Sequence, residues 1–147
     1  MANRNTPIIE EFRSNKGQVG GNFEGRPVLL LTTTGAKTGR RHVNPAMYLP
    51  DGDRWVVFAS RGGAPKHPDW YHNLVANPAV TVEVGTETIE GRAEVITGEE
   101  RDRLYAKQAE LYPQFAEYEK KTTRTIPVIA LSRIDSDRNE PSATRRA

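Results

Sequence analysis

Pro27-Val-Leu-Leu-Leu-Thr-Thr-Thr34, then Gly35-Ala-Lys-Thr-Gly39, then Arg41-His-Val-Asn-Pro-Ala-Met-Tyr-Leu49: this stretch decides the fold. The first run is apolar and β-branched, and its length and content fit a buried strand. The second carries two glycines and reads as a turn. The third reads as a returning strand, so the three together predict an antiparallel hairpin. Downstream, Asp51-Gly52 supplies another hairpin turn, and Trp55-Val-Val-Phe58 a third strand. Arg61 to Pro68, with Gly62-Gly63 and two prolines, must be a loop, and Asp69 to Asn77 fits a short helix with Pro68 at its first turn.

Val80 to Val84 and Thr88 to Ile96 alternate as two half-buried strands joined near Gly85-Thr86. Thr97-Gly-Glu-Glu100 has the form of a capping box, opening a helix to about Leu111. Pro113 interrupts it, and a second helical piece carries Phe115 and Tyr118. Thr125 to Ser132 closes the domain as a strand, with Pro127 marking an edge or an end. Upstream, Thr6-Pro7 starts a brief helix with Glu10 and Glu11 near its positive end and an apolar stripe of Ile8, Ile9 and Phe12. Gly17, Gly20 and Gly21 end it. The stripe fits docking on the same domain, on a partner or on a membrane surface. The reading divides the chain into a helix and linker over 1–22, a domain over 23–134 and a charged tail, expected to be disordered, over 135–147. The class is mainly β with helices (α+β): about six antiparallel strands in a small barrel with flanking helices.

Composition removes several chemistries. The 147 residues include no cysteine, which excludes disulfides, thiolate metal sites, iron–sulfur clusters and a cysteine nucleophile. Twenty-one Lys and Arg against nineteen Asp and Glu leave a net charge of +2, too small to imply a nucleic-acid partner. No apolar run approaches the roughly 20 residues of a membrane span, and the N-terminal residues lack a signal-peptide core. The expected location is therefore the cytoplasm, with peripheral contact of the first helix at the inner membrane face left open.

Three constellations carry candidate chemistry. Thr32-Thr-Thr-Gly-Ala-Lys-Thr-Gly-Arg-Arg41 places three cations within five positions between glycines. Such a turn is either a plain hairpin tip with solvated cations or a grip for phosphate or carboxylate, with backbone N–H groups forming a nest. It is not a P-loop, because Ala36 precedes Lys37 and a strand follows. Ala59-Ser-Arg-Gly-Gly63 with Trp70 and Tyr71 offers small residues beside flat ones, as a planar ring requires, although Trp70 alone fits a core anchor equally well. Tyr105, Tyr112, Phe115 and Tyr118 form an aromatic series: Tyr105 suits core packing, and Tyr112 and Tyr118 suit a pocket wall bearing hydroxyls. Ser60 lacks the Gly-x-Ser-x-Gly elbow of a hydrolase. His67 and His72, five apart, do not share a helix face, so no metal site is expected.

Leu29 to Pro45 and Ala59 to Leu74, at their observed spacing, resemble the deazaflavin-dependent nitroreductase family, as do Asn77-Pro-Ala-Val80 and Arg124-Thr-Ile-Pro-Val128. The resemblance covers residues 8–134. It implies a split β-barrel, FMN-binding-like, that holds coenzyme F420, an 8-hydroxy-5-deazaflavin, with FMN as the weaker alternative. By position, Lys37, Thr38, Gly39, Arg40 and Arg41 meet the phosphate and glutamate tail. Ala59, Ser60, Arg61, Trp70 and Asn73 surround the deazaflavin, with Pro45 nearby and Thr32, Ala36 and Tyr71 completing the cofactor set. Tyr112, Phe115 and Tyr118 match substrate-side positions, as does Met47, where the family pattern has tyrosine; Phe115 replaces another. Ser60, Tyr112 and Tyr118 are the catalytic candidates implied. The activity implied is hydride transfer to a small conjugated electrophile (a quinone, an enone or lactone, or a nitroaromatic) by a monomer or homodimer. A non-enzymatic deazaflavin carrier is the remaining alternative.

Overall fold

The computed structural model describes residues 6–20, 27–60, 63 and 66–134. In chain order the elements are α1 (Thr6–Ser14), β1 (Val28–Thr34), β2 (Arg41–Asp51), β3 (Arg54–Phe58), α2 (Asp69–Ala76), β4 (Ala79–Val84), β5 (Glu87–Ile96), α3 (Gly98–Leu111), α4 (Gln114–Lys121) and β6 (Val128–Arg133). The six strands close a barrel in the order β1-β2-β3-β6-β5-β4, every pairing antiparallel. The expected class and strand count are observed, with element ends shifted by one to three residues. The largest shift is at β6, expected from Thr125 and found from Val128. Pro127 cannot donate to a ladder, and its carbonyl instead accepts from Ala59 N–H at 3.0 Å.

Closure depends on β2. Its residues 41–47 pair only with β1 (Thr34↔Arg41 to Val28↔Met47), and its residues 48–51 only with β3 (Tyr48↔Val57 to Asp51↔Arg54). The strand changes neighbour between Met47 and Tyr48, and upstream of that point β2 and the end of β3 part. Pro45 and Pro50 both lie in one-sided stretches, where a missing N–H leaves no partner wanting.

Alternation sorts the side chains into two layers. The inner one gathers Leu29, Leu31, Val57, Ala59, Val80, Val82, Ile89, Ala93, Ile129 and Leu131, joined by Trp70 and Leu74 of α2. Helices α3 and α4 cover the outer faces of β3 and β6 through Leu104, Tyr105 and Phe115 against Val56, Phe58, Val128 and Ala130. Helix α1 covers β1: Phe12 packs with Val19, Val28 and Leu30, flanked by Ile8 and Ile9. The apolar stripe therefore docks on its own barrel, and membrane contact is left without that face. Arg13 fastens α1 to Glu83 of β4 with two bonds of 3.0 and 2.8 Å. Gly17, at φ +92°, lies so close to the β4–β5 turn that a Cβ would sit 2.7 Å from Gly85 Cα. Glu10 and Glu11 fall beyond the first turn of α1, and Glu11 accepts from Gly20 N–H at 3.2 Å. Thr97 occupies the N-cap of α3 without a side-chain cap bond, so the capping box predicted there does not close. The predicted tail over 135–147 lies outside the described residues.

Gln108, on the buried face of α3, is fully enclosed, and neither amide atom has a hydrogen-bond partner among the described residues. A buried polar group left unpaired costs about 1–3 kcal/mol. Gln108→Leu, similar in length and apolar, is therefore expected to raise the unfolding free energy by about that amount. Denaturant titration reads it as a higher midpoint at unchanged slope; a lower midpoint refutes it.

Candidate functional site

The β1–β2 tip is built from internal bonds. Gly35 N–H donates to Arg40 O (2.7 Å), Gly39 N–H to Gly35 O (3.0 Å) and Arg40 N–H to Thr38 Oγ1 (3.2 Å). Ala36 N–H donates to Asn73 Oδ1 at 3.0 Å, and Asn73 Nδ2 donates to Thr33 Oγ1 at 3.2 Å. The tip is thus locked onto α2. Four of its amides are consumed in holding it, so the nest of N–H groups expected from the sequence is not formed by them, and side chains carry the positive charge.

A groove of about 890 Å³ runs between this tip, α1 and α2. Lys37, Thr38, Arg41, His42 and His72 supply polar and cationic lining, Ile9 and Val43 an apolar wall, and Asp69 the one acidic group among the lining residues. Arg41 also donates from Nη2 to Thr81 Oγ1 at 2.7 Å, and Thr81 in turn to Glu90 at 3.2 Å, so its guanidinium is held against the outer face of β4. Of the cofactor residues expected, Ala36, Lys37, Thr38, Arg41 and Asn73 line the groove together. Gly39, at φ +71°, and Arg40 stand exposed at the tip.

The others lie elsewhere. Thr32 is buried in β1, paired with Val43 and Thr81. Pro45 is half-buried on β2. Ala59 and Ser60 are buried just past the last β3–β6 pair, Phe58↔Val128. Trp70 belongs to the inner core, and Tyr71 packs on it with His67 at 4.7 Å between ring centres. Arg61 lies outside the described residues.

The substrate-side candidates form a second group on the outer face of β3. Phe115 is buried edge-on to Phe58 (5.8 Å) and Tyr118 (5.1 Å), while Met47, Tyr112 and Tyr118 pack half-buried around it. Tyr105 ties the two helices by donating its hydroxyl to Phe115 O at 2.6 Å, across the Pro113 break. Burial, then Glu119, push its phenol far above the ordinary range, so it stays protonated as a core donor. Arg101 stacks 4.8 Å over that ring and donates to Ile126 O at 3.2 and 2.8 Å, fastening α3 to the segment before β6. Gly63, at φ +84°, lies against α4: a Cβ there would lie 3.0 Å from both Tyr118 O and Lys121 Cβ. Sequence reasoning missed Ile9, His42, Asn44, Asp69 and His72 in the groove. It also missed Arg124, which binds the carbonyls of Ala59 and Ser60 at 3.1 and 2.8 Å; spacing carries no signal for contacts made across 64 or 65 residues.

The sequence model of the F420H(2)-dependent quinone reductase family matches residues 6–133. The chain belongs to that family. It is accordingly an F420-dependent oxidoreductase. An F420H(2)-dependent quinone reductase of Mycobacterium tuberculosis (strain ATCC 25618 / H37Rv) is 37% identical over 128 residues, covering 83% of this chain and 85% of the relative. A solved F420-H2 dependent reductase, FDR-A, shares 41% identity at a TM-score of 0.67, covering 77% of this chain and 100% of that one. A second solved structure, described as a domain-swapped dimer, shares 38% at a TM-score of 0.69, covering 88% and 95%. Vibrio cholerae HutZ, 20% identical at a TM-score of 0.59 over 88% and 89%, shares the fold.

The donor set suits the cofactor of the family. A deazaflavin tail bearing phosphate and carboxylates needs cations, which Lys37 and Arg41 supply. Asn73→Ala removes both bonds holding the tip and is expected to lower stability by about 1–2 kcal/mol. It should also weaken F420 affinity several-fold by fluorescence titration; unaltered affinity refutes the role of the lock.

Proposed function

We propose that this protein reduces a quinone, or a similar small conjugated electrophile, with F420H2. The cationic groove at the β1–β2 tip, in a chain of this family, is the observation that carries the proposal. When bound, reduced F420 supplies a hydride. Lys37, Thr38 and Arg41 hold the anionic tail, with Gly39 and Arg40 adding to the tip. Ala36 and Asn73 keep that tip in place. Ala59, Ser60 and Pro45 bed the ring where β2 and β3 part. Thr32, Trp70 and Tyr71 support the walls. Met47, Tyr112, Phe115 and Tyr118 enclose the acceptor, whose ring takes the hydride and one proton to become a quinol. Ser60, Tyr112, Tyr118 or solvent returns that proton. With methionine at 47 and phenylalanine at 115, the enclosure presents few hydroxyls and favours apolar acceptors.

Support for quinone as the acceptor comes from the name of the Mycobacterium tuberculosis relative, and support for a homodimer from the domain-swapped neighbour. Among the described residues no helix is long and apolar enough to cross a membrane; a cytoplasmic enzyme fits this reading.

Oxidation of F420H2 followed against quinone, enone, lactone and nitroaromatic panels tests the proposal, with quinone kcat/KM expected to be highest. Tight binding of FMN with none of F420 overturns the cofactor reading, and binding of F420 without turnover of any acceptor favours a carrier. Lys37→Ala with Arg41→Ala is expected to weaken F420 binding by ten-fold or more and to flatten its salt dependence, since screened charge pairs are lost; unchanged binding would put the tail elsewhere. Tyr112→Phe should leave F420 affinity intact and lower kcat; equal kcat removes the hydroxyl from proton return.

A further inference from the structure

The strand end Ala59–Ser60 lies past the last ladder pair of β3 and is held from outside the sheet. Ala59 N–H donates to Pro127 O at 3.0 Å, and Ser60 O accepts Gly63 N–H at 2.9 Å. Ser60 N–H donates to Phe58 O at 2.8 Å, and a single side chain binds both carbonyls. Arg124, in the segment between α4 and β6, donates from Nη1 to Ala59 O at 3.1 Å and from Nη2 to Ser60 O at 2.8 Å. Its Nη1 also lies 2.8 Å from His67 Nδ1. A guanidinium only donates, so Nδ1 is the acceptor and the neutral imidazole carries its proton on Nε2. One cation thereby joins three parts of the chain: the end of β3, the residues before α2 and the approach to β6.

We propose that Arg124 is a positioning residue that fixes the Ala59–Ser60 backbone as the bed for the deazaflavin ring, and that His67 makes this clamp sensitive to protons. The proposal rests on the F420 reading above. Protonation of His67 removes the acceptor and sets two cations 2.8 Å apart, which expels Arg124 from its carbonyls. The groups facing His67 are Arg124 before β6, and Tyr71 and His72 on α2, with ring centres at 4.7 and 5.7 Å. Lys66 precedes it in the chain and Asp69 lies two residues after it. Burial, then Arg124, then His72, hold its imidazole below the ordinary value of 6.5. The sign follows: the folded form favours neutral His67, so the clamp is whole above about pH 6.5 and weakens as pH falls from there toward the lowered folded-state value. Comparison of the wild-type and His67→Asn profiles assigns acid weakening of F420 binding to His67.

The test combines two readouts on the full chain. Proton NMR of His67 in the cofactor-free protein should show it titrating below 6.5 in wild type and closer to 6.5 in Arg124→Gln. Fluorescence titration should show F420 Kd rising at least three-fold in wild type from pH 7.5 to 5.5. His67→Asn, whose Oδ1 replaces Nδ1 as an acceptor that does not titrate, should flatten that rise, and Arg124→Lys should retain part of the wild-type affinity that Arg124→Gln loses. A persistent acid rise in His67→Asn, or an unmoved His67 titration in Arg124→Gln, overturns the proposal. If Arg124→Gln does not fold by circular dichroism, the His67→Asn profile decides alone. Wild type that binds no F420 at any pH overturns the cofactor reading instead, and the NMR comparison still judges the clamp.

Discussion

The change of partner within β2 is the constraint on which the rest of the molecule depends. A six-stranded barrel pairing every strand along its full length would leave no backbone edge for a flat ligand to approach. Here one strand serves two neighbours in turn, β1 up to Met47 and β3 from Tyr48. The barrel closes, yet the backbone past Phe58 has left β2. Two prolines in β2 agree with this, since each sits where only one side of the strand is paired.

Backbone that has left the ladder must be held by something else. At the tip of β1–β2 the holding group is Asn73, which binds one backbone amide and one hydroxyl. At the end of β3 it is Arg124, which binds two carbonyls. Both are polar side chains arriving from other parts of the chain, and both act on backbone that the sheet itself leaves unpaired.

Helix α1 illustrates how little of a docking choice lies in periodicity. Ile8, Ile9 and Phe12 make an apolar stripe that suits a barrel, a partner or a bilayer equally. Its docking is decided by Val28 and Leu30 on the outer face of β1, by the Arg13–Glu83 pair, and by the approach of Gly17 to Gly85. The same docking carries Ile9 to the groove wall.

Local physics in the sequence determined the strands, the tight turns, the break at Pro113 and the charge of the hairpin tip, because each depends on residues a few positions apart. Two ordered motifs also marked the family, and with it the barrel and the cofactor. The tertiary structure alone decided that the tip uses its amides internally, that Trp70 joins the inner core, that Thr97 makes no cap bond and that Gln108 is enclosed without a partner. It alone revealed Arg124 beneath the strand end. Such features depend on which distant surfaces meet, and the free energy of those contacts is set by burial and geometry that no local pattern encodes.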